Sequence, residues 1–255
     1  MGSEPVDLYV AAFVARCEAM RRPGQRAAEE PGVHGLLPAG DDPRLRLLVT
    51  DDRGYDLVAS LVADAREGMI RVFAVAARCA GLVGGHPAWR PAPATAMVCP
   101  DLEGLPTVAP PSDLTVRPVR RLAGDAADGV PLEDAVAAAL LADPGIKDAP
   151  EALADYLRSL PPATRLFAAM DAGGAVRATS GSGVYGTDAS VLFVNTDPRW
   201  RGRGIGGAMT ATALRSARDR GAQRACLDAS GAGRSIYTRL GFEGVAQMTR
   251  FFASP

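Results

Sequence analysis

The sequence predicts a two-domain α/β (α+β) protein with a central mixed, mostly antiparallel sheet flanked by helices. The chain has 255 residues, which is enough for two small domains that each bury a core. Residues 85–111 hold a cluster of prolines, which fix φ and lack an amide donor, so we interpret this stretch as a linker. The domains are therefore predicted at residues 1–111 and 112–255. In the second domain, strands joined by tight turns indicate an antiparallel meander.

The N-terminal domain is predicted to contain both helices and strands. Apolar residues recur at helical spacing over residues 6–20 and 55–65, and residues 45–49 form a short apolar run typical of a strand. Residues 69–83 are apolar throughout, so that periodicity alone does not distinguish a strand from a helix there. Within the linker, residues 96–99 are predicted to form one edge strand.

The C-terminal domain shows a clearer order of elements. Turn residues such as Asp171-Ala-Gly-Gly and Gly186-Thr-Asp separate its apolar runs. In chain order, the predicted elements are a strand at 114–119, helices at 132–141 and 151–160, strands at 165–170, 175–185 and 189–196, a helix after a glycine turn, a strand at 224–228, a helix at 232–240 and a strand at 242–252.

Composition and charge exclude several classes of partner. The chain is 47% hydrophobic with a net charge of −1, so its overall charge does not favour binding to nucleic acid or to an anionic membrane. The four cysteines are dispersed without metal-ligand spacing, and the first residues include Glu4 and Asp7 rather than a basic leader. We therefore expect a cytoplasmic protein without a metal cofactor. His34 and His86 are expected at the surface.

The strongest functional signal is the turn between the strand at 189–196 and the following helix. Amides that begin a helix have no partner within it, and the helix dipole adds partial positive charge there. The turn therefore predicts a site for a phosphate or pyrophosphate. Its glycines are Gly202, Gly204, Gly206 and Gly207, and its arginines are Arg199, Arg201 and Arg203.

Two other phosphate-binding motifs fit the turn less well. Gly202-x-Gly204-x-x-Gly207 matches the dinucleotide fingerprint, with Asp228 as a ribose-binding acid. That fingerprint expects its first glycine directly after the strand, and the chain beyond Asp228 is too short for the remaining βα units. A P-loop is excluded because no Lys-Ser or Lys-Thr follows the glycines.

The motif Arg201-Gly-Arg-Gly-Ile-Gly206, together with Tyr237-Thr-Arg-Leu-Gly-Phe242, resembles the GNAT superfamily of acyl-CoA-dependent N-acyltransferases. The resemblance covers roughly residues 113–255 and includes the order of elements. It implies a GNAT fold and an N-acetyltransferase that uses acetyl-CoA as co-substrate to acetylate a small-molecule amine. It further implies that the N-terminal domain is a degenerate acyltransferase half. We expect a monomer or a homodimer.

The same resemblance implies which residues bind the coenzyme. The backbone of the glycine turn would hold the pyrophosphate, and the strand before it would splay at a bulge and pair with the pantetheine amides. Ser230 lies where relatives often place a polar residue against the pantetheine, although a solvated strand end explains it equally well. The expected coenzyme-binding residues are Val194, Asn195, Thr196, Arg201, Gly202, Arg203, Gly204, Ile205, Gly206, Gly207 and Ser230.

The catalytic groups are less completely specified. Tyr237 matches the tyrosine that hydrogen-bonds or protonates the leaving thiolate in the family, and its alternative is a packing role. Histone-type relatives hold a glutamate at the position of Ser190, so the base remains open. Asp188 and Asp228 are the candidates, each of which is otherwise a turn or strand-end acid, and a water chain is the third alternative.

Other functions compete with small-molecule acetylation. Acetylation of protein lysines or N-termini belongs to the same reaction class. Because Ser190 replaces the glutamate, a non-catalytic regulator that binds acyl-CoA is a second alternative. A dinucleotide oxidoreductase is a more distant third.

Overall fold

The computed structural model of the protein describes residues 4–39, 45–64, 68–122, 125, 127–142 and 150–253. The chain forms two compact units. The N-terminal unit comprises residues 1–98, 228–235 and 243–255, and the C-terminal unit comprises residues 99–227 and 236–242. The division thus falls after Val98, and the last part of the chain alternates between the units. A single boundary near residue 111 does not describe this arrangement.

The helices and strands largely follow the predicted order. The helix predicted over residues 55–65 ends at Asp64, and residue 65 lies outside the described residues. The helices are α1 (Glu4–Ala19), α2 (Tyr55–Asp64), α3 (Ala77–Gly85), α4 (Leu132–Ala142), α5 (Pro150–Ser159), α6 (Ile205–Arg218) and α7 (Arg234–Arg239). The strands are β1 (Arg26–Ala27), β2 (Val33–Leu37), β3 (Leu45–Val49), β4 (Gly68–Phe73), β5 (Trp89–Cys99), β6 (Leu114–Arg120), β7 (Val130–Pro131), β8 (Thr164–Asp171), β9 (Val176–Tyr185), β10 (Asp188–Thr196), β11 (Arg224–Ala229) and β12 (Glu243–Ala253).

In the N-terminal unit the strand order is β1-β2-β3-β4-β12-β5. The β3–β4 pair is parallel and the other pairs are antiparallel. Leu47, Val58, Ile70, Val83 and Phe251 belong to one buried cluster, which joins the strands to α2 and α3. The final strand β12 therefore completes this core between β4 and β5 instead of ending the C-terminal sheet.

The run over residues 69–83 contains both a strand and a helix. It divides into β4 and α3 at an exposed turn, where Val75 keeps 75% of its surface accessible. Its apolar character is continuous because β4 is buried at Ile70 and Val72, and α3 is buried at Cys79 and Val83. Periodicity could not locate the change because each element is shorter than the window of about 11 to 18 residues over which a helical pattern is recognised.

Much of the proline-rich segment is a strand rather than a linker. β5 begins at Trp89 and pairs with β12 from Trp89 to Val98, with one register shift between Gly244 and Ala246. Pro91 and Pro93 are two residues apart, so their missing donors lie on the same edge of the strand. Thr95 Oγ1 adds a bond of 3.2 Å to Gln247 Oε1 across the pair. The strand predicted over residues 96–99 was therefore too short.

The C-terminal unit has the strand order β11-β10-β9-β8-β6-β7. β8, β9 and β10 form the predicted antiparallel meander, and β11 is parallel to β10. α6 packs on β9, where Ser180 Oγ and Ser182 Oγ each donate a bond of 2.8 Å, to the carbonyls of Met209 and Ala213. The mixed, mostly antiparallel sheet flanked by helices is confirmed.

A buried arginine fixes the end of α5. Arg121 is only 5% exposed. Arg121 directly follows β6. Its guanidinium donates hydrogen bonds to carbonyls at and just after the end of α5, where helix carbonyls have no intrahelical donor. The acceptors are the main-chain oxygens of Leu157, Arg158, Leu160, Pro161 and Thr164. Burial lowers the pKa of Arg121, and the loss of hydration is offset by these bonds.

Candidate functional site

β10 contains a bulge at the position where the resemblance implies one. Its register with β9 shifts between Leu192 and Asn195. Phe193, which lies inside the bulge, has a φ of 58°, a conformation that costs a β-carbon-bearing residue energy. Thr179 Oγ1 donates to the Phe193 carbonyl at 2.9 Å, and Asn195 Nδ2 donates to Thr179 Oγ1 at 3.3 Å. These two bonds hold the bulge in place.

β10 separates from β11 shortly before this bulge. The parallel ladder joins residues 188–190 of β10 to residues 224–226 of β11, and among the described residues it extends no further. Asn195 and Thr196 still pair with β9 on the other edge. The edge of β10 that faced β11 therefore carries main-chain N–H and C=O groups outside that ladder. An extended ligand with its own amides could pair with such an edge.

The turn after β10 leads into helix α6, whose first amides have no acceptor within the helix. A short 3₁₀ turn (Pro198–Trp200) leads to Gly202 and Gly204, whose φ angles are +77° and +75°. Helix α6 begins at Ile205, and its first main-chain bond runs from the Ala208 amide to the Gly204 carbonyl. The preceding amides, at residues 205–207, thus remain at the positive end of the helix dipole. This is the geometry of an anion site.

The glycines keep the space beside these amides open. A Cβ added at Gly202 or Gly204 would find no atom within 4 Å, so the backbone twist, not packing, requires glycine there. At Gly206 and Gly207 an added Cβ would lie 3.5 and 3.6 Å from the side chain of Ile236, an ordinary contact distance. The turn is therefore accessible on one side and bordered by α7 on the other.

The arginines around the turn already have partners. Arg199 is paired with Asp197 at 3.0 Å and Arg203 with Asp113 at 2.8 Å. Arg201 donates to the main-chain oxygens of Thr196 and Ala142, at 3.2 and 2.5 Å. These arginines therefore fix the shape of the turn, and the attraction for an anion comes mainly from the amides.

Tyr237 lies on α7 and directly follows Ile236, the residue nearest to Gly206 and Gly207. It is half-buried, and its ring meets that of Phe242 edge-on, with centroids 6.0 Å apart. Its carbonyl accepts the amides of Leu240 and Phe242, which close the turn after the helix. Because a Cβ added at Gly206 would lie 3.5 Å from Ile236 Cδ1, the helix that carries Tyr237 lies beside the start of α6.

Asp188 and Ser190 lie at the paired end of β10, before the bulge. The Asp188 carboxylate accepts a bond of 3.0 Å from Arg224 Nε. Ser190 is 2% exposed and lies opposite Cys226 and Gly183 in the ladders. Asp188 therefore serves as the partner of Arg224 in this structure, and its catalytic role stays a prediction.

Asp228 is the centre of a buried cluster in the N-terminal unit. Arg71 Nε donates to its carboxylate at 2.7 Å, and the Tyr9 hydroxyl donates to the other oxygen. Burial raises the pKa of Asp228, but the charges of Arg71 and Arg16 and the Tyr9 bond outweigh it, so that the pKa falls to about 2. A carboxylate with so low a pKa is a poor base at neutral pH. The geometry favours an anchoring role for it.

Ser230 is exposed and lies directly after β11. Its hydroxyl accepts the Gly233 amide at 3.3 Å, and its carbonyl accepts the amides of Gly233 and Arg234. The residue thus stabilises the turn that precedes α7. This hydrogen bonding explains Ser230 without a ligand, and the pantetheine contact stays a prediction.

The N-terminal unit repeats part of the topology of the C-terminal unit without its site. β2, β3, α2 and β4 follow the order of β9, β10, α6 and β11, with the same parallel final pair. The parallel ladder is unbroken from Leu45 to Val49. Asp51 and Asp52 stand before α2, where the C-terminal unit has its glycine turn. Asp51 accepts the Arg53 amide at 3.0 Å, and Asp52 accepts the amides of Arg78 and Cys79 in α3 at 3.2 and 2.9 Å. The parallel pair is therefore closed, and acids replace the glycines before the helix.

Part of the C-terminal region matches a known protein family. Residues 162–244 match the acetyltransferase (GNAT) domain. The comparison with curated protein sequences gave no match. The matched segment includes the bulge, the glycine turn and Tyr237.

Solved structures extend the similarity of fold to the whole chain. A GCN5-related N-acetyltransferase from Kribbella flavida superposes with a TM-score of 0.62 at 18% identity, covering 100% of this chain and 97% of the other. One from Sphaerobacter thermophilus gives 0.56 at 17%, covering 100% and 95%. A tandem GNAT protein from the clavulanic acid biosynthesis pathway gives 0.54 at 16%, covering 97% and 95%. The N-terminal region thus also shares the fold of these structures.

Two absences concern the described residues alone. No group of three or more His, Cys, Asp or Glu side chains is placed there to hold a metal ion. No helix in these ranges is both long and apolar enough to cross a membrane.

Several residues that shape the site were not identified from the sequence. Thr179 supports the bulge, Asp113 pairs with Arg203, and Tyr9 and Arg71 hold Asp228. Each is distant along the chain from its partner. No local pattern marked any of them.

Proposed function

We propose that this protein is an N-acetyltransferase that transfers an acetyl group from acetyl-CoA to the amine of a small molecule. The observation that carries the proposal is the set of amides at residues 205–207, which begins α6 beside the released edge of β10. The amides suit the pyrophosphate of coenzyme A, and the edge suits the amides of its pantetheine arm. The GNAT domain match at residues 162–244 supports this interpretation.

The proposed chemistry is direct attack within a ternary complex. The neutral amine nitrogen forms a bond to the thioester carbonyl carbon, and the carbon–sulfur bond then breaks. Holding the amine and the thioester together supplies much of the rate. Tyr237 donates its hydroxyl proton to the leaving thiolate. Because Asp188 and Asp228 are ion-paired, we assign removal of the amine proton to an ordered water chain.

A small acceptor fits the charge of the chain better than a basic protein does. The net charge is −1, and the sequence has no long acidic tract to hold a polycationic segment. Acetylation of protein lysines or N-termini is the alternative within the same chemistry. The ion-paired acids also fit an acyl-CoA-binding regulator without catalysis, which is the alternative outside it.

One pair of measurements distinguishes these functions. Thermal unfolding with and without acetyl-CoA tests binding, since a ligand that binds only the folded protein raises the midpoint. Release of free thiol with panels of small amines and of peptides then tests transfer. We expect stabilisation and amine-dependent thiol release with small amines. Stabilisation without thiol release would indicate the regulator, and the absence of stabilisation would refute coenzyme binding.

Replacement of Tyr237 by phenylalanine is expected to lower kcat by about 10- to 100-fold, as loss of a general acid does. The Kd for acetyl-CoA should change less than twofold, because the ring and its edge-on contact with Phe242 are kept. Steady-state kinetics and isothermal titration measure the two effects. The matched control is Tyr156→Phe, which removes the hydroxyl of an exposed tyrosine on α5. An unchanged kcat in Tyr237→Phe would assign the residue to packing.

A further inference from the structure

Arg177 lies on β9 and connects two acidic side chains that belong to different turns. Its guanidinium donates to Asp171 Oδ2 at 2.7 Å and to Asp197 Oδ2 at 3.1 Å. Asp171 ends β8, and its other carboxylate oxygen accepts the amides of Gly173 and Ala175 in the β8–β9 turn. Asp197 directly follows β10 and begins the segment that leads to the glycine turn. Arg177 therefore joins the β8–β9 hairpin to that segment.

Asp197 shapes the 3₁₀ turn (Pro198–Trp200) that precedes the glycine turn. Its Oδ1 accepts the Arg199 amide at 3.0 Å, which caps the 3₁₀ turn, and its own amide donates to the carbonyl of Arg177 at 2.8 Å. Hydrogen bonds from both arginines lower the pKa of Asp197, and Arg199 has the larger effect. However, the side chain of Arg199 is 76% exposed and that of Arg177 is 21% exposed. Because water competes for an exposed partner, Arg177 is the partner that fixes the carboxylate to the fold.

The same guanidinium supports the tryptophan that ends the 3₁₀ turn. Arg177 Cζ lies 5.2 Å from the centroid of the Trp200 ring, which is a cation–π distance. The ring packs against a buried cluster that includes Ile205 and Met209 of α6. Only four residues separate Trp200 from Ile205, where α6 begins. Arg177 therefore holds the 3₁₀ turn at its start, through Asp197, and at its end, and this restricts where the first amides of α6 lie.

We propose that Arg177 is a positioning residue for the coenzyme, which fixes the glycine turn in its binding conformation before the ligand arrives. The proposal rests on the proposed function, since it concerns how the same site is formed. A site that is ordered in advance loses less conformational entropy on binding, so its affinity is higher. Arg177 acts on the turn proposed for the pyrophosphate, whereas Tyr237 is proposed to act at the thioester. Loss of Arg177 should therefore weaken binding of the donor and leave the chemical step unchanged.

The test compares acetyl-CoA with S-acetyl-pantetheine, which has the thioester and the pantetheine arm but no pyrophosphate. Arg177→Met removes the guanidinium and keeps an unbranched side chain. We expect the Kd for acetyl-CoA to rise by about 10-fold, as loss of charge-assisted contacts predicts. With the best small amine as acceptor, kcat should stay within about twofold, because only binding of the donor is weakened. The kcat/KM for S-acetyl-pantetheine should also change by less than about twofold, because this donor lacks the group that the turn binds.

Arg177→Lys tests the same role in a variant that keeps the positive charge beside Asp197. A lysine lacks the planar fork that bridges two carboxylates and rests on a ring, so we expect a smaller rise in the Kd for acetyl-CoA, of about threefold. If Arg177→Met does not fold, this variant decides the question. The matched control is Arg158→Met, because Arg158 also pairs with two acids, Glu133 at 2.5 Å and Asp155 at 2.9 Å, but lies on α5. The control should leave the Kd for acetyl-CoA unchanged.

Two results would overturn this role of Arg177. One is an unchanged Kd for acetyl-CoA in Arg177→Met, or in Arg177→Lys where the methionine variant does not fold. The other is an equal loss of kcat/KM with both donors, which indicates a general disturbance of the fold. If the wild-type protein neither binds nor uses acetyl-CoA, the proposed function itself is refuted.

Discussion

Replacing Gly206 by aspartate is expected to raise the Kd for acetyl-CoA by more than about 100-fold, because a carboxylate near a phosphate adds several kcal/mol of repulsion in a partly shielded site. The fold should tolerate the change. An added Cβ would lie 3.5 Å from Ile236 Cδ1 and 3.8 Å from Thr196 Oγ1, both ordinary distances. A carboxylate in the first turn of a helix is itself stabilising. Loss of binding without loss of stability would therefore identify the turn as the phosphate site.

Two variants at the same position separate charge from size. Gly206→Asn has nearly the same shape as the aspartate variant without its charge, so it should weaken acetyl-CoA much less. Gly206→Ala adds only the Cβ, so its thermal unfolding midpoint should match or exceed that of the wild-type protein. Isothermal titration and thermal unfolding measure both properties. If the aspartate variant binds acetyl-CoA as the wild-type protein does, the anion lies elsewhere.

The local parts of the fold could be predicted from the sequence. The meander β8–β9–β10 follows from alternating runs separated by short turns, and the glycine turn follows from residues adjacent in the chain. The position of β12 could not be predicted. An antiparallel strand can add to any edge of matching length. The choice of β4 and β5 over the C-terminal sheet depends on packing against residues that are distant in the sequence.

The candidate site was predictable to a similar extent. The motif at residues 201–206 marked the amides, and the resemblance implied the bulge, which lies at Phe193. The partners of the charged residues could not be predicted. Arg203 meets an acid 90 residues away in sequence, and Tyr9 meets Asp228 across 219 residues. The local sequence shows that a charge is present but not which group balances it.

The buried charge of Asp228 gives the largest expected effect on stability. Asp228→Asn should lower the free energy of unfolding by about 3 to 5 kcal/mol, because Arg71 then stays buried without its counter-charge. The side chain of Arg71 is 8% exposed and that of Asp228 is 13% exposed, so solvent screens the pair little. Urea unfolding of the full chain at pH 7 measures the loss. The control Asp219→Asn, at a side chain that is 67% exposed, should change stability by less than about 0.5 kcal/mol.

The pH dependence of stability provides a second readout of the same carboxylate. The pKa of Asp228 is about 2 in the folded protein and about 3.9 in an unfolded chain. The ionised carboxylate therefore contributes its full stability above about pH 4, and this contribution, about 2 to 3 kcal/mol, is lost as the pH falls toward 2. In Asp228→Asn the unfolding free energy should not show this decrease between about pH 4 and pH 2, whereas in Asp219→Asn the decrease should remain.

Stability and catalysis distinguish the two roles considered for Asp228. An anchoring carboxylate predicts a destabilised Asp228→Asn protein whose stability is partly restored by the second substitution Arg71→Gln, since that change removes the unpaired charge. A general base predicts an unfolding midpoint close to that of the wild-type protein and a large fall in kcat. Because the ion pair with Arg71 and the bond from Tyr9 use both carboxylate oxygens, we expect the first result. A stable but inactive Asp228→Asn protein would instead indicate that Asp228 takes part in catalysis.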